Sequence, residues 1–500
     1  MAPSGLSAAQ QFATVRHNSI GGIVLSVIAT QAIKFVDDNQ KYLTDISDKI
    51  WGYAELALHE DKSAELLVKE LKAQGFGVTT GAGGMPTAIV AEWGQGKPVI
   101  GFLAEYDALS NVSQHPVPHR DPVIPNGPGH GCGHNLLGTA AFAAAVALKQ
   151  ELAARGLPGT VRFYGCPAEE NLSGKAFMAR DGVFNDCDVA LTWHPSSINR
   201  VRTGSSLANN AAYFTFYGRA AHAAGDPFNG RSALDAVQLM NMGVEFLREH
   251  MPPRSRMHYV ITNGGGQPNV VPPEAQVWYL VRAARRDAVD ELWERVIKCA
   301  NGAAEMTETT YKIELLKAIY NVLPNTVLED VLEGAFKRVG PTTFTPEDHA
   351  FAEEISKTVP QKQKADALRE NHVPDEWADK TLNDAVLDRP AIEDEPKGST
   401  DVGDVSWCCP TAQIGTACQA MGTPGHSWQY AAQAGMSIGH SGMLTAAKVL
   451  AEAGYVLATS PDLVAKAKAE FDKRTEGRSY KCAMPPEQKP AFHVFAKKDK

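Results

Sequence analysis

Apolar residues recur at helical spacing over 36–53 and over 61–74, where Leu66, Leu67 and Leu71 share one face and Gly75 stands as a stop, so two helices are predicted. The period then shortens. TAIVAEW (87–93) and PVIGFLAEY (98–106) are β-rich runs, the second nearly continuous in apolar residues, as in a strand covered on both faces. An alanine-rich helix over 135–154, a strand at 160–165, a short helix at 174–180 and a strand at 188–193 follow. Strands alternating with helices predict an α/β domain, a mixed sheet sandwiched by helices.

After Gly204 the pattern changes to strand (211–218), helix (231–250), strand (257–262), strand (275–283), helix (287–307) and strand (310–314). This βαββαβ order predicts a smaller α+β domain inserted into the first, with helices on one face of an antiparallel sheet. The boundaries are an N-terminal extension over 1–32, a first domain over 33–204 and 319–480, the inserted domain over 205–318, and a polar tail over 481–500. Within the second part, 346–396 is charged and helix-prone and reads as a solvated excursion, and helices are expected over 443–453 and 462–474. No internal repeat or low-complexity tract interrupts this order.

Composition narrows the function. Five hundred residues with 44% hydrophobic positions bury real cores, and 48 basic against 57 acidic side chains leave a net charge of −9. That balance argues against a nucleic-acid partner and against anionic membranes. Eight cysteines are too few and too scattered for a disulfide scaffold, and adjacent Cys408 and Cys409 read as small buried side chains; a reducing, cytoplasmic setting is expected. The apolar run 20–29 is too short to span a bilayer. Preceded by Arg16 and His17 and followed by Thr30-Gln31-Ala32, it loosely resembles a signal peptide, which makes export the alternative.

Three clusters carry the chemistry. GHGCGHN (129–135) sets Cys132 and His134 two residues apart on a glycine-rich loop before the alanine-rich helix, a spacing that lets both reach one cation. A buried cysteine and a capping histidine explain many such strings. CPAEE (166–170) ends a strand, where α/β sheets bind ligands, and paired carboxylates there can divide ligation from proton transfer. WHP (193–195) ends the next strand with His194. Each alone has a structural explanation; three on one sheet edge are harder to explain that way.

In order and spacing, YDAL (106–109), GHGCGHN, PAEE and WHP resemble the di-metal aminoacylase and carboxypeptidase family of amidohydrolases, over about 32–453. The resemblance implies a catalytic domain with two divalent ions, interrupted by a lid domain that usually dimerises. It implies that Cys132, His134, Glu170, His194 and His426 are metal ligands, with His440 competing for the last place, and that Glu169 is the general acid/base. Asp107 matches the carboxylate that orients a ligand. Asn135 stands where plant-type relatives commonly have Asp, which favours the aminobenzoyl-glutamate branch over the auxin-conjugate branch. Zn²⁺ suits a thiolate ligand, with Mn²⁺ or Co²⁺ as alternatives. His115, His119 and His130 match no role and are expected to face solvent.

From the lid, the resemblance brings His222, Asn269 and Arg282 to the substrate: a tetrahedral oxyanion needs donors, and a substrate carboxylate needs a fixed cation. Each also has a local structural explanation. The implied reaction is metal-assisted hydrolysis of an N-acyl or N-aroyl amino acid, aminobenzoyl-glutamate being the named expectation, by a homodimer with a possible second subunit type. A dipeptidase for dipeptides with a basic or β-amino acid is the alternative. A thiol hydrolase using Cys132 with His134 as base would leave Glu169, Glu170, His194 and His426 without a task. A metal-binding scaffold would have no need of Glu169.

Overall fold

The structure is a computed structural model that describes residues 28–390 and 398–495. Seven strands form the larger sheet: β1 (Gly77–Thr80), β2 (Ile89–Gln95), β3 (Val99–Ala104), β4 (Gly159–Gly165), β5 (Val189–Ser196), β6 (Arg200–Arg202) and, from the far end of the chain, β11 (Thr411–Ala417). Their order is β1-β2-β4-β3-β5-β11-β6. The central four, β4, β3, β5 and β11, are parallel, so their carboxyl ends share one edge. Helix His134–Arg155 is apolar all round and buried up to its last turn, packing with Ser437–Ala458 in the main core. It is the one helix among the described residues long and apolar enough to cross a membrane, and it is a core element.

The inserted domain is the second sheet, β7 (Ala208–Tyr217), β8 (Arg256–Asn263), β9 (Glu274–Ala283) and β10 (Thr310–Ile319), antiparallel in the order β10-β7-β9-β8. Strand alternation sorts its two faces. Phe214, Phe216, Val277, Tyr279 and Val281 pack under helices Ala233–Leu247 and Arg286–Thr307, whereas Ala211, Tyr213, Trp278 and Leu280 join a core shared with the larger domain. The mixed α/β fold with a βαββαβ insertion is the expected one.

Several expectations need correction. The helix expected over 36–53 is two, Thr30–Asp38 and Gln40–Tyr53, because the Asn39 side chain donates to the Phe35 carbonyl (2.8 Å) and closes the first. Residues 29–32 belong to the packed domain and not to an extension: Ala29 and Ala32 are buried, and the Ala29 N–H donates to Glu452 Oε2 (2.7 Å). The rest of the signal-like run, 20–27, lies outside the described residues. The stretch 346–390 carries helices Pro346–Ser356 and Gln361–Glu370 and keeps most of its side chains exposed, but isolated apolar anchors fix it to the domain. Ala352, Ile355 and Leu382 pack with Ile438, and Leu368, Trp377 and Leu387 with Ile198. The expected polar tail also packs: Met484 and Ala491 are buried, and the Phe492 carbonyl meets His59 Nε2 at 3.0 Å. Strands β1, β6 and β11 had no sequence counterpart. They are short or interrupted by Gly and Gln, and register with neighbours makes them strands.

Candidate metal centre and active site

The shared edge gathers the candidate residues. Glu105 and Asp107 follow β3, Glu169 and Glu170 follow β4, His194 closes β5, and the loop after β11 returns with His426. Cys132 and His134 arrive on the loop that opens helix His134–Arg155. Gly133 turns that loop with φ 74°, and a Cβ there would stand 3.1 Å from both Pro195 and Tyr430, so a side chain at this position would be both strained and crowded. Two non-glycine residues at the site also hold positive φ, Ala168 (64°) and His426 (54°). Each has a backbone hydrogen bond that fixes it: Ala168 N–H to buried Glu60 Oε1 (2.8 Å), His426 N–H to the Gly131 carbonyl (3.1 Å). Such strained positions persist where surrounding structure over-determines them.

Cys132 Sγ lies 3.3 Å from His194 Nε2, His426 Nε2 lies 3.5 Å from Glu170 Oε2, and His134 Nε2 lies 3.9 Å from Glu170 Oε1. Among the described residues three sets of donor atoms are close enough to share a cation: Cys132, His134 and His194; Cys132, Glu170 and His426; Glu105, His134 and Glu169. Asp107 serves two elements at once, meeting His134 Nδ1 at 2.8 Å and accepting the Glu170 N–H at 2.9 Å. Held by Asp107 through Nδ1, His134 turns Nε2 toward the cluster, where carboxylate oxygens of Glu105 (3.2 Å) and Glu170 (3.9 Å) surround it; among the described residues neither this buried atom nor buried Glu170 Oε1 makes a hydrogen bond. His194 is fixed likewise, by Nδ1 against the Pro195 carbonyl (2.8 Å), which also accepts from Tyr430 (2.7 Å).

The electrostatics leave the cluster short of positive charge. Burial pushes Glu170 up to about 8, against the pull of His134 and with the repulsion of Glu169 added. Burial and Glu105 raise Glu169, and burial lifts the Cys132 thiol above its ordinary range. Burial pushes His194 and His426 below the ordinary imidazole range, whereas against its burial Cys132 and Asp107 hold His134 above it. A thiol, two imidazole lone pairs and orphaned carboxylate oxygen in one wall fit divalent cations.

Of the other candidates, His440 is elsewhere, paired with Asp48 on the surface (2.8 Å). Arg282 borders the same cavity of about 630 Å³ as Cys132, Glu169, Glu170, His194 and His426. His222 and Asn269 do not line that cavity. They sit together on exposed lid loops, joined by Ala223 N–H to the Asn269 carbonyl (3.0 Å). His115 and His119 are exposed, but His130 is buried and bonds the Ile50 carbonyl through Nε2 (3.0 Å), correcting the expectation that it faces solvent.

The structure adds residues that no motif announced. Buried Lys175 bridges Glu105 Oε1 and Asp401 Oδ1, both at 2.6 Å, and Glu105 Oε2 stands 3.2 Å from His134 Nε2. Gly174 lets this helix start approach the PAEE loop, since a Cβ would meet the Pro167 carbonyl at 2.1 Å. The sequence signals were weak: a lone Lys in GKAFMA, and a Glu two residues before Asp107.

Residues 210–308 match the family model for a peptidase dimerisation domain. The chain is 44% identical over 477 residues to a p-aminobenzoyl-glutamate hydrolase chain of Escherichia coli (strain K12), covering 90% of this chain and 97% of the relative. It is 30% identical over 465 residues to the Xaa-Arg dipeptidase of Mus musculus, covering 89% and 93%. An aminobenzoyl-glutamate utilization protein from Klebsiella pneumoniae superposes with TM-score 0.57 at 20% identity, covering 85% of this chain and 98% of that one. A dinuclear metal-binding peptidase of the M20 family from Bacillus subtilis does so with TM-score 0.54 at 16% identity, covering 85% and 99%. The chain belongs to the M20 family of metallopeptidases and is a hydrolase acting on amide bonds. Within that family its similarity runs to the Escherichia coli aminobenzoyl-glutamate hydrolase chain over nearly the whole length of both.

Proposed function

We propose that this hydrolase holds two divalent ions, Zn²⁺ or Mn²⁺ with Co²⁺ as a substitute, through Cys132, His134, Glu170, His194 and His426, and cleaves aminobenzoyl-glutamate or a similar N-acyl or N-aroyl amino acid. The observation that carries this reading is the convergence of those donors, all but His134 lining one cavity with Glu169, and the absence of a hydrogen bond to buried His134 Nε2 and Glu170 Oε1 among the described residues. When bound, the ions supply Lewis acidity, polarising the scissile carbonyl and acidifying water. Glu169, whose proton affinity burial and Glu105 raise, takes the proton of the attacking water and delivers it to the leaving nitrogen. Asp107 and the Pro195 carbonyl keep His134 and His194 in the tautomers that leave Nε2 free. The raised Cys132 thiol suits a ligand that deprotonates on metal binding and makes a poor free nucleophile.

The assembly is a homodimer through the lid, with room for a second subunit type, and the eight free cysteines agree with a reducing, cytoplasmic compartment. The substrate is tested by screening aminobenzoyl-glutamate, indole-acetyl-aspartate and Xaa-Arg dipeptides with Zn²⁺, Mn²⁺ and Co²⁺ in turn. Aminobenzoyl-glutamate is expected to show the highest kcat/KM. A dipeptide ending in Arg that outpaces it would make the chain a dipeptidase.

A further inference from the structure

Glu169 and Glu170 are consecutive residues, and consecutive side chains on an extended chain point to opposite faces. Here both line one cavity. The chain turns at Ala168, just beyond β4, whose φ is 64°. An alanine holds this left-handed conformation only against a steric cost, so the surroundings must hold it there.

Hydrogen bonds pin the turn on every side. The Ala168 carbonyl accepts the Leu172 N–H (3.1 Å) and the Ser173 N–H (2.6 Å). The Glu170 N–H donates to Asp107 Oδ2 (2.9 Å), and the Ala168 N–H donates to Glu60 Oε1 (2.8 Å). Glu60 stands 108 residues earlier, at the start of helix Asp61–Ala73, and is fully buried. Its other oxygen meets Thr87 Oγ1 (3.3 Å), and the Thr87 carbonyl accepts from the hydroxyl of Tyr106 (2.5 Å), the residue before Asp107. Two acids set in one frame therefore bracket Glu169: Glu60 holds the N–H of the residue before it, and Asp107 holds the N–H of the residue after it. Burying a carboxyl group is unfavourable unless hydrogen bonds offset it, and those of Glu60 go to this turn and to the frame behind it.

We propose that Glu60 is a positioning residue: by holding the Ala168 N–H it keeps the turn left-handed, and the turn keeps Glu169 and Glu170 aimed into the same cavity. The inference rests on the division of proton transfer and metal ligation between those two residues proposed above. What Glu60 supplies is an acceptor at a fixed place. Asp107 cannot replace it, because it acts on the following peptide and on His134.

The test measures kcat and KM on aminobenzoyl-glutamate, the Tm, and the Zn²⁺ affinity of the metal-free chain by competition with a chromogenic chelator. Wild type is compared with Glu60→Met, Glu60→Gln and Glu60→Asp, and the Met and Asp changes are repeated in an Ala168→Gly background. Glu60→Met, which offers no oxygen, is expected to lower kcat on the order of 10²-fold with KM within about threefold, since a misplacement of about 1 Å at a reacting group has effects of that size. Its Zn²⁺ affinity should fall on the order of tenfold, as when a hydrogen bond that orients a ligand is lost. Glu60→Gln keeps an acceptor and should recover most of what Glu60→Met loses. In the Ala168→Gly background Glu60→Met should lower kcat by less than about tenfold, because glycine takes positive φ without the steric cost. Glu60→Asp draws the acceptor back by one methylene and should show a smaller loss with the same relief; it decides the matter if Glu60→Met does not fold. A loss in Glu60→Gln as large as that in Glu60→Met, a kcat for Glu60→Met within about threefold of wild type, or a loss undiminished in the Ala168→Gly background would overturn the inference while leaving the amidohydrolase reading intact. No hydrolysis of any acylated amino acid by wild type would overturn both.

Discussion

Glu169→Gln is expected to lower kcat by roughly 10² to 10⁴-fold, the usual consequence of removing a general base, while metal content and fold stay as they are. Glu170→Gln is expected to lose metal. The contrast follows from the surroundings of the two side chains. Glu170 points one oxygen toward His426 (3.5 Å) and the other toward His134 (3.9 Å), and its backbone N–H is held by Asp107. Glu169 falls instead with Glu105, whose other oxygen is bound to Lys175. Elemental analysis of both variants beside their steady-state kinetics distinguishes the roles. Equal metal loss in the two would show that Glu169 is also a ligand and that the proton passes elsewhere.

Mixing inactive Glu169→Gln chains with inactive His222→Ala chains is expected to restore activity to roughly one quarter of wild type, because half of the randomly reassorted dimers carry one complete site of two. His222 is exposed and outside its own chain's cavity, and its Nδ1 accepts the Ala224 and Gly225 N–H groups (3.2 and 3.0 Å), leaving Nε2–H as a free donor for an oxyanion. Among the described residues the lid also presents an unpaired edge: β8 exposes Tyr259, Val260 and Ile261, and helix Ala233–Leu247 exposes Met242 and Phe246. Apolar edges of this kind are normally covered. A partner joined there can carry its His222 to the neighbouring site. No recovery after verified subunit exchange would return His222 to its own chain or remove it from catalysis.

What the sequence disclosed and what it withheld divide along physical lines. The gathering of Cys132, His134, Glu169, Glu170 and His194 at one sheet edge was legible because each sits in a short motif at a strand or helix end. Glu60, Glu105 and Lys175 were not, because a buried charge acquires its meaning from a partner far away in the chain: Lys175 and Asp401 are 226 residues apart. His130 was misread for the same reason, its partner being a carbonyl on a helix 80 residues earlier. Strand β11 was invisible because its sequence, TAQIGTA, has no clear period and its pairing with β5 and β6 defines it. The stretch 346–390 was judged by its average charge, while a few apolar residues decided its packing.

The most direct test of the central claim follows aminobenzoyl-glutamate hydrolysis by the wild-type chain before chelation, after it, and after Zn²⁺, Mn²⁺ or Co²⁺ is returned, with the Tm recorded at each stage. The account predicts that activity disappears with the metal and returns with at least one of the ions. It also predicts that the Tm falls on chelation, since an ion at 100 times its Kd stabilises the folded chain by about 2.7 kcal/mol. Hydrolysis that continues at an undiminished rate in the metal-free chain would contradict it.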